Sequence, residues 1–210
     1  GLFINCVLLT STKLVAQEES AQDFPTLIML QKQNVEQYEA EVLRLQGELK
    51  DQNLNNELIA LYDLHYDFLL ERGQRHKAIQ LLHQTRKLNR NYNASKLADI
   101  YLELATNFHA LSNLDSLVYW TEKSEALINS KSELYAKYLY VNSLKSSFEG
   151  NYDQAINGLL SALDGFVLQS DTTYLPLVYN SLAFDFGRLG EYKKQREYLY
   201  KSIEINRRSN

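Results

Sequence analysis

Four turns recur along this chain at nearly equal spacing, and that periodicity limits the folds open to it. Aligned on Gly73, Ser112, Gly150 and Gly190, the segments begin 39, 38 and 40 residues apart. Gly150 is followed by Tyr152, Ala155, Leu159 and Ala162, at offsets of two, five, nine and twelve. The same offsets hold Tyr192, Gln195, Leu199 and Ser202 after Gly190, and Leu114, Leu117, Thr121 and Ser124 after Ser112. After Gly73 they hold Arg75, Ala78, Leu82 and Thr85. The upstream side repeats too: Tyr179, Leu182, Ala183 and Phe186 before Gly190; Tyr101, Leu104, Ala105 and Phe108 before Ser112; Tyr62, His65, Tyr66 and Leu69 before Gly73. Apolar residues three and four apart on both sides of a turn predict a helix–turn–helix unit. An alanine in the first helix lets the second approach closely, and the turn residue, usually glycine, reverses the backbone with positive φ. A unit of this kind cannot bury its apolar face alone, so a fixed period of this length predicts stacked units. A helical bundle without repeats would explain the helices but not three nearly equal spacings.

Composition agrees with a packed, all-helical protein. Of 210 residues 45% are hydrophobic, enough for a sizeable core, and there are only two prolines. Pro25 and Pro176 each stand near the start of an apolar-periodic run, where a first-turn proline does least harm. Twenty-two Lys and Arg against 26 Asp and Glu give a net charge of −4, which argues against a nucleic-acid partner. Cys6 is the single cysteine, so the chain holds neither a disulfide framework nor a cysteine-rich zinc site.

Residues 1–17 read as an apolar run, then small and polar residues ending at Ala16-Gln17. That order resembles the h-region and cleavage zone of a secretory signal peptide, although no basic n-region precedes it. The alternative is an N-terminal apolar segment that packs on the body. No stretch reaches the roughly 18–20 apolar residues of a transmembrane helix. Residues 24–51 predict an N-terminal helix, with Ile28, Val35, Tyr38, Val42, Leu45 and Leu49 forming one stripe. The segment "NVEQYEAEVLRL" also fits the second helix of a worn first unit.

The copies "YNSLAFDFGRLGEYKKQREYLYKSIEI" and "YLELATNFHALSNLDSLVYWTEKSEAL" resemble the tetratricopeptide repeat family. The resemblance implies an all-α, right-handed α-solenoid of about four units plus the N-terminal helix. The units cover 57–90, 96–129, 134–168 and 174–208, within a repeat region of 55–208. The period exceeds the family's usual length of about 34 residues. The first helix of the unit at Gly150 fits least well. Its expected packing positions are Leu139, Asn142, Ser143 and Ser146, while its apolar residues run Leu134, Tyr138, Val141, Leu144 and Phe148. Either that helix is rotated or the turn before Gly150 is longer.

No Gly-rich phosphate loop or nucleophile elbow occurs in the chain, and no catalytic, cofactor or metal site is expected. His76 and His83 are seven apart, too far for the adjacent-turn pair of zinc ligands, and His65 reads as a satisfied interior histidine. The resemblance implies instead that a protein or peptide lies in a concave groove lined by the first helices. Carried over by register, the inward residues are Asp63, Asp67 and Glu71, then Asp99, Leu102, Thr106 and His109. Lys137, Tyr140, Leu144 and Phe148 follow, and Asn180, Phe184 and Arg188 complete the set. For Tyr140 and Phe148 the alternative is a register in which they are core. The groove so inferred is acidic at its N-terminal end and aromatic toward its C-terminal end, and a basic or mixed apolar peptide complements it. The expected function is a non-catalytic interaction module. The arrangement resembles the extracytoplasmic, periplasmic tetratricopeptide portion of bacterial signalling proteins, attached to a membrane by a segment outside this chain. A cytosolic scaffold or assembly adaptor is the alternative.

Overall fold

A computed structural model of the chain describes residues 24–89 and 93–208. The expectation of a signal segment at 1–17 lies outside the described residues. The described residues divide into two compact units, 24–89 and 93–208.

In the first unit, α1 spans residues 24–33 and α2 spans Val35–Asp51. The single helix expected over 24–51 is therefore two. Asn34 is extended (φ −153°, ψ 99°), and its side chain accepts a hydrogen bond from the Gln37 amide. An asparagine in that conformation caps a new helix better than it continues an old one. Tyr38, Val42, Leu45 and Leu49 are buried as expected, but Leu27 is buried in place of Ile28. Helices α3 (Asn55–Glu71) and α4 (Arg75–Asn89) follow among the described residues of the unit. His65 sits between Tyr38, whose hydroxyl is 3.3 Å from Nδ1, and Phe68.

The second unit holds three helix pairs. They are α5 (Ala94–Ala110) with α6 (Leu114–Glu125), α7 (Tyr135–Phe148) with α8 (Tyr152–Leu168), and α9 (Leu175–Arg188) with α10 (Tyr192–Arg208). Each first helix touches the first helix of the next pair, α5 against α7 and α7 against α9.

The turn inside each pair has one geometry. Gly73, Ser112, Gly150 and Gly190 all have positive φ, at 69°, 56°, 85° and 78°. In each, the amide of the turn residue bonds the carbonyl three back and the next amide bonds the carbonyl five back: Gly150 to Ser147 and Asn151 to Ser146, for example. This is the double hydrogen bond that closes a helix on a left-handed residue. It satisfies carbonyls the helix end would otherwise leave bare. Ser112 adopts the same conformation as the glycines, and Asn113 beside it caps α6 by accepting from the Ser116 amide.

The helix that fits the repeat least well keeps the common register. Ser143 stands seven residues before its turn, where Ala105 and Ala183 stand before theirs, and Ser143 and Ser146 are buried. Neither a rotated helix nor a longer turn is needed. The close approach that alanine provides elsewhere is supplied here from the second helix as well. Gly158 of α8 faces Ser143, and a Cβ on Gly165 would stand 2.7 Å from that of Ala136. A methyl-to-methyl contact that short cannot be relieved by rotation, so the glycines set the distance between α7 and α8. The Ser143 hydroxyl turns back to its own helix and donates to the Leu139 carbonyl.

Candidate functional site

The last turns of α5 and α7, the middle and end of α9, and the start of α8 enclose a cavity of about 650 Å³ in the second unit. Leu144, Ser147 and Ser181 lie deep in it, and Phe148, Phe184, Asn180, Tyr152 and Arg188 approach the rim. His109, Ala110 and Ser112 close the side formed by α5 and its turn. Phe184 is 57% exposed and Phe148 40%, high values for phenylalanine side chains that face one another's cavity.

Each lining side chain arrives by the repeat. Leu144 and Phe184 stand six residues before their turns, and Phe148 and Arg188 two before theirs. Equivalent positions on successive first helices fall side by side, so side chains a whole period apart in sequence meet around one space. His109 and Phe148 make an edge-on ring contact at 6.2 Å between centroids. Burial pushes the His109 imidazole below its ordinary value, which keeps it neutral at pH 7. The Arg188 Nε–H donates to the Tyr152 hydroxyl at 3.0 Å, and the guanidinium lies 5.5 Å from the Tyr152 ring centroid.

Beneath the cavity, Ser147 Oγ donates to Asp185 Oδ1 at 2.5 Å. Asp185 is fully buried, and its Oδ2 has no hydrogen-bond partner among the described residues. Burial pushes its carboxyl up to about 6, opposed only in part by the Ser147 hydrogen bond. Between the ordinary 3.8 and this value, the folded chain keeps a proton that the unfolded chain has lost. Stability from this group is therefore present at the acid end of that window and falls as pH rises through it. Asp185→Asn keeps an acceptor for Ser147 and removes the buried charge. It is expected to stabilise the chain by about 1–2 kcal/mol near pH 7.5 and to flatten the pH dependence between about pH 4 and 6. Urea unfolding at both ends of the range reads the difference.

The register residues fall into three groups. His109, Leu144, Phe148, Asn180, Phe184 and Arg188 all line the cavity. Asp63, Asp67 and Glu71 belong to α3 of the first unit, Asp63 half-buried and the other two exposed, and the cavity is bounded without them. Asp99, Leu102, Thr106 and Tyr140 lie in the second unit but outside the cavity lining. Leu102 is 0% exposed and Tyr140 5%, so their assignment to an open groove surface is corrected: both are core. The physical reason is lateral cover. Tyr140 meets Ser181 of α9 and stands 6.1 Å from the Tyr174 ring, filling the seam between neighbouring first helices. Thr106 is half-buried and donates its hydroxyl to the Leu102 carbonyl.

Asp99 does other work. Lys137 is 2.5 Å from both Asp99 Oδ1 and Glu103 Oε1, and Tyr174 donates to Glu103 Oε1 at 2.9 Å. Asp99 and Lys137 are the same position in consecutive units, thirteen residues before Ser112 and Gly150. Burial pulls the Lys137 ammonium toward its neutral form. Glu103, Tyr174 and Asp99 outweigh burial and hold it well above the ordinary 10.5.

Sequence reasoning missed Tyr152, Ser147 and Ser181. Tyr152 was visible as the aromatic two residues after the turn, but that position reads as packing within a unit. The two serines carry no signal in their type, and only their place in the period would mark them. Chemically, the cavity offers apolar rings, hydroxyl and amide groups, and one cation. Among the described residues no group of three or more His, Cys, Asp or Glu side chains could hold a metal ion, and no helix is long and apolar enough to cross a membrane.

No family model matches the chain, and no curated protein matches it. Solved structures do match. Aspartyl phosphate phosphatase F from Bacillus subtilis superposes at a TM-score of 0.70 and 16% identity, over 94% of this chain and 53% of its own. A signal transduction ATPase with a tetratricopeptide repeat sensor, from Pyrococcus horikoshii, gives 0.60 at 17% identity, over 90% of this chain and 29% of its own. The nearly identical TPR-like repeats of a Podosopora anserina kinesin light chain give 0.59 at 14% identity, over 90% and 95%. This chain thus spans about half of the phosphatase and under a third of the ATPase. At these identities the likeness is one of fold: the chain is an all-α solenoid of tetratricopeptide-like helix pairs.

Proposed function

We propose that this chain is a non-catalytic interaction module that holds a segment of another protein in the cavity between α5, α7 and α9. The observation that carries the reading is the pair of solvent-facing phenylalanines, Phe148 and Phe184, over a cavity of about 650 Å³ with a hydrogen-bonding floor. A concave, mostly apolar site with a few convergent polar groups is the usual form of a ligand pocket. The TPR-like repeats among the matching structures support the same reading at the level of fold. The proposal extends to an extracytoplasmic, sensory or scaffolding portion of a longer signalling protein, supported by the apolar-then-small pattern of residues 1–17. Whether protease reaches the folded chain once the outer envelope is permeabilised, with the cytoplasmic membrane intact, separates that placement from a cytosolic adaptor.

The test is a selection of displayed peptides of about twelve residues against the whole chain and against Phe184→Ala. Segments enriched on the native chain are expected to carry a large apolar residue. They should bind Phe184→Ala about 10-fold more weakly, the common size of a truncated interface anchor. Phe184 is exposed, so the variant's helicity and melting should be unchanged. Enriched segments that bind the variant equally well would sink the reading.

A further inference from the structure

The cavity carries one charged lining residue, and that residue has no carboxylate partner. Arg188 touches Tyr152 through Nε and through the ring face, and no ion pair to it forms among the described residues. On the adjacent α10, Lys194 pairs with Glu191 and Lys201 with Glu197. The other titratable lining side chain that could be cationic is His109, which is neutral at pH 7. The nearest acid beneath, Asp185, is fully buried with one oxygen held by Ser147, and it is absent from the lining. The cavity mouth therefore carries a single fixed positive charge beside three aromatic rings, Phe148, Tyr152 and Phe184.

The geometry sharpens this. Tyr152 occupies the Nε edge of the guanidinium, so the terminal nitrogens remain to act as a planar fork, the shape that matches a carboxylate. Phe184 and Arg188 are four residues apart on α9, about 6 Å along one helix face. A ligand that fills the cavity with an apolar side chain must offer its anion at a similar distance. Neighbouring side chains of an extended segment, or residues one turn apart on a helix, do so. The three acids that suggested a basic ligand from sequence, Asp63, Asp67 and Glu71, belong to the first unit and contribute nothing to this lining.

Resting on the interaction-module reading above, we propose that the segment bound here pairs a large apolar side chain with an aspartate or glutamate, and that Arg188 selects the acid. The anion comes from a side chain within the segment and not from a chain terminus. The charge of −4 on the whole chain opposes acidic segments at long range, so the preference is local and acts once the apolar anchor is seated.

The experiment repeats the selection with peptides displayed between two carrier segments, so that no free carboxyl terminus is present, against the native chain, Arg188→Lys and Arg188→Glu. Native selections are expected to enrich a large apolar residue with Asp or Glu within four positions. Arg188→Glu should bind those segments about 10-fold more weakly and enrich Lys or Arg in place of the acid. Arg188→Lys should retain the acidic preference with part of the affinity, because it keeps the charge and loses the fork. Arg188 is exposed, and matching circular dichroism confirms that the variants fold. Native segments without an acid, or an unchanged selection on Arg188→Glu, overturn the charge assignment. In that case dependence on Phe184 still upholds binding at the cavity. If no segment is enriched on any form, both readings fall.

Discussion

Lys137→Met is expected to destabilise the second unit by about 3–5 kcal/mol, the usual cost of removing one partner from a buried ionic group. The lysine is nearly enclosed, and its ammonium is shared between Asp99 and Glu103, one helical turn apart on α5. The Tyr174 ring lies 5.2 Å from Nζ and covers the remaining side. Methionine matches the stem in volume but takes away the ammonium that Asp99 and Glu103 share, and Lys96 Nζ, 4.0 Å from Asp99 Oδ2, is too distant to replace it. Because the Lys137 pKa is raised in the folded chain, its contribution is present in full below the ordinary 10.5 and is lost only as pH climbs through the folded value. The loss in the variant should therefore be constant across neutral pH. Trp120 is the only tryptophan and lies in α6, so its fluorescence during urea unfolding follows the second unit. Adding Asp99→Asn and Glu103→Gln to Lys137→Met should recover most of the loss. A loss under about 1 kcal/mol in the single variant would mean that solvent satisfies the carboxylates, and the lysine would then be a surface pair of small value.

Tyr140→Ala is expected to cost about 3–5 kcal/mol, as for other buried aromatics cut to alanine. Its ring fills the seam between α7 and α9, and its hydroxyl reaches Ser181. Phe184→Ala, at the exposed edge of the same helix pair, is expected to leave stability within about 0.5 kcal/mol while weakening the ligand. The contrast is sharp because Tyr140 and Phe184 come from one register-based expectation of groove-lining residues. Thermal melts of the two variants side by side measure it. A Tyr140→Ala chain as stable as the native one would mean that the seam is open, and that Tyr140 belongs to the binding surface after all.

Six side chains of the sequence register converge on one cavity, because each side chain's direction on a helix follows from its offset to the turn. The turn itself was legible from glycine at three of four places, and Ser112 was found only because the period demanded a turn there. What failed was cover. Leu102, Tyr140 and Asn180 hold the same offset, ten residues before their turns, yet the first two are buried and the third is exposed. A repeat pattern assigns them one face. It does not say whether a following first helix covers that face: α7 follows Leu102, α9 follows Tyr140, and among the described residues none follows Asn180. In the N-terminal region the apolar stripe looked continuous, and the break falls at Asn34, whose backbone is extended and whose side chain accepts from the Gln37 amide to cap the new helix. Asp185 was invisible for a related reason. An acid on a helix reads as solvated until the neighbouring helix closes over it.

The sequence by itself determined the helices, the positive-φ turns and the period that stacks them, since these depend on contacts within a few residues and on repetition along one axis. Only the tertiary structure decided which equivalent positions became core, pocket or ion pair. Those outcomes depend on distances between helices a whole repeat apart, set by small details such as Gly165 against Ala136. The period brought Asp99 to Lys137 and Ser147 to Asp185, and the spacing of the helices decided that these pairs are buried, while Phe184 and Arg188 face open space.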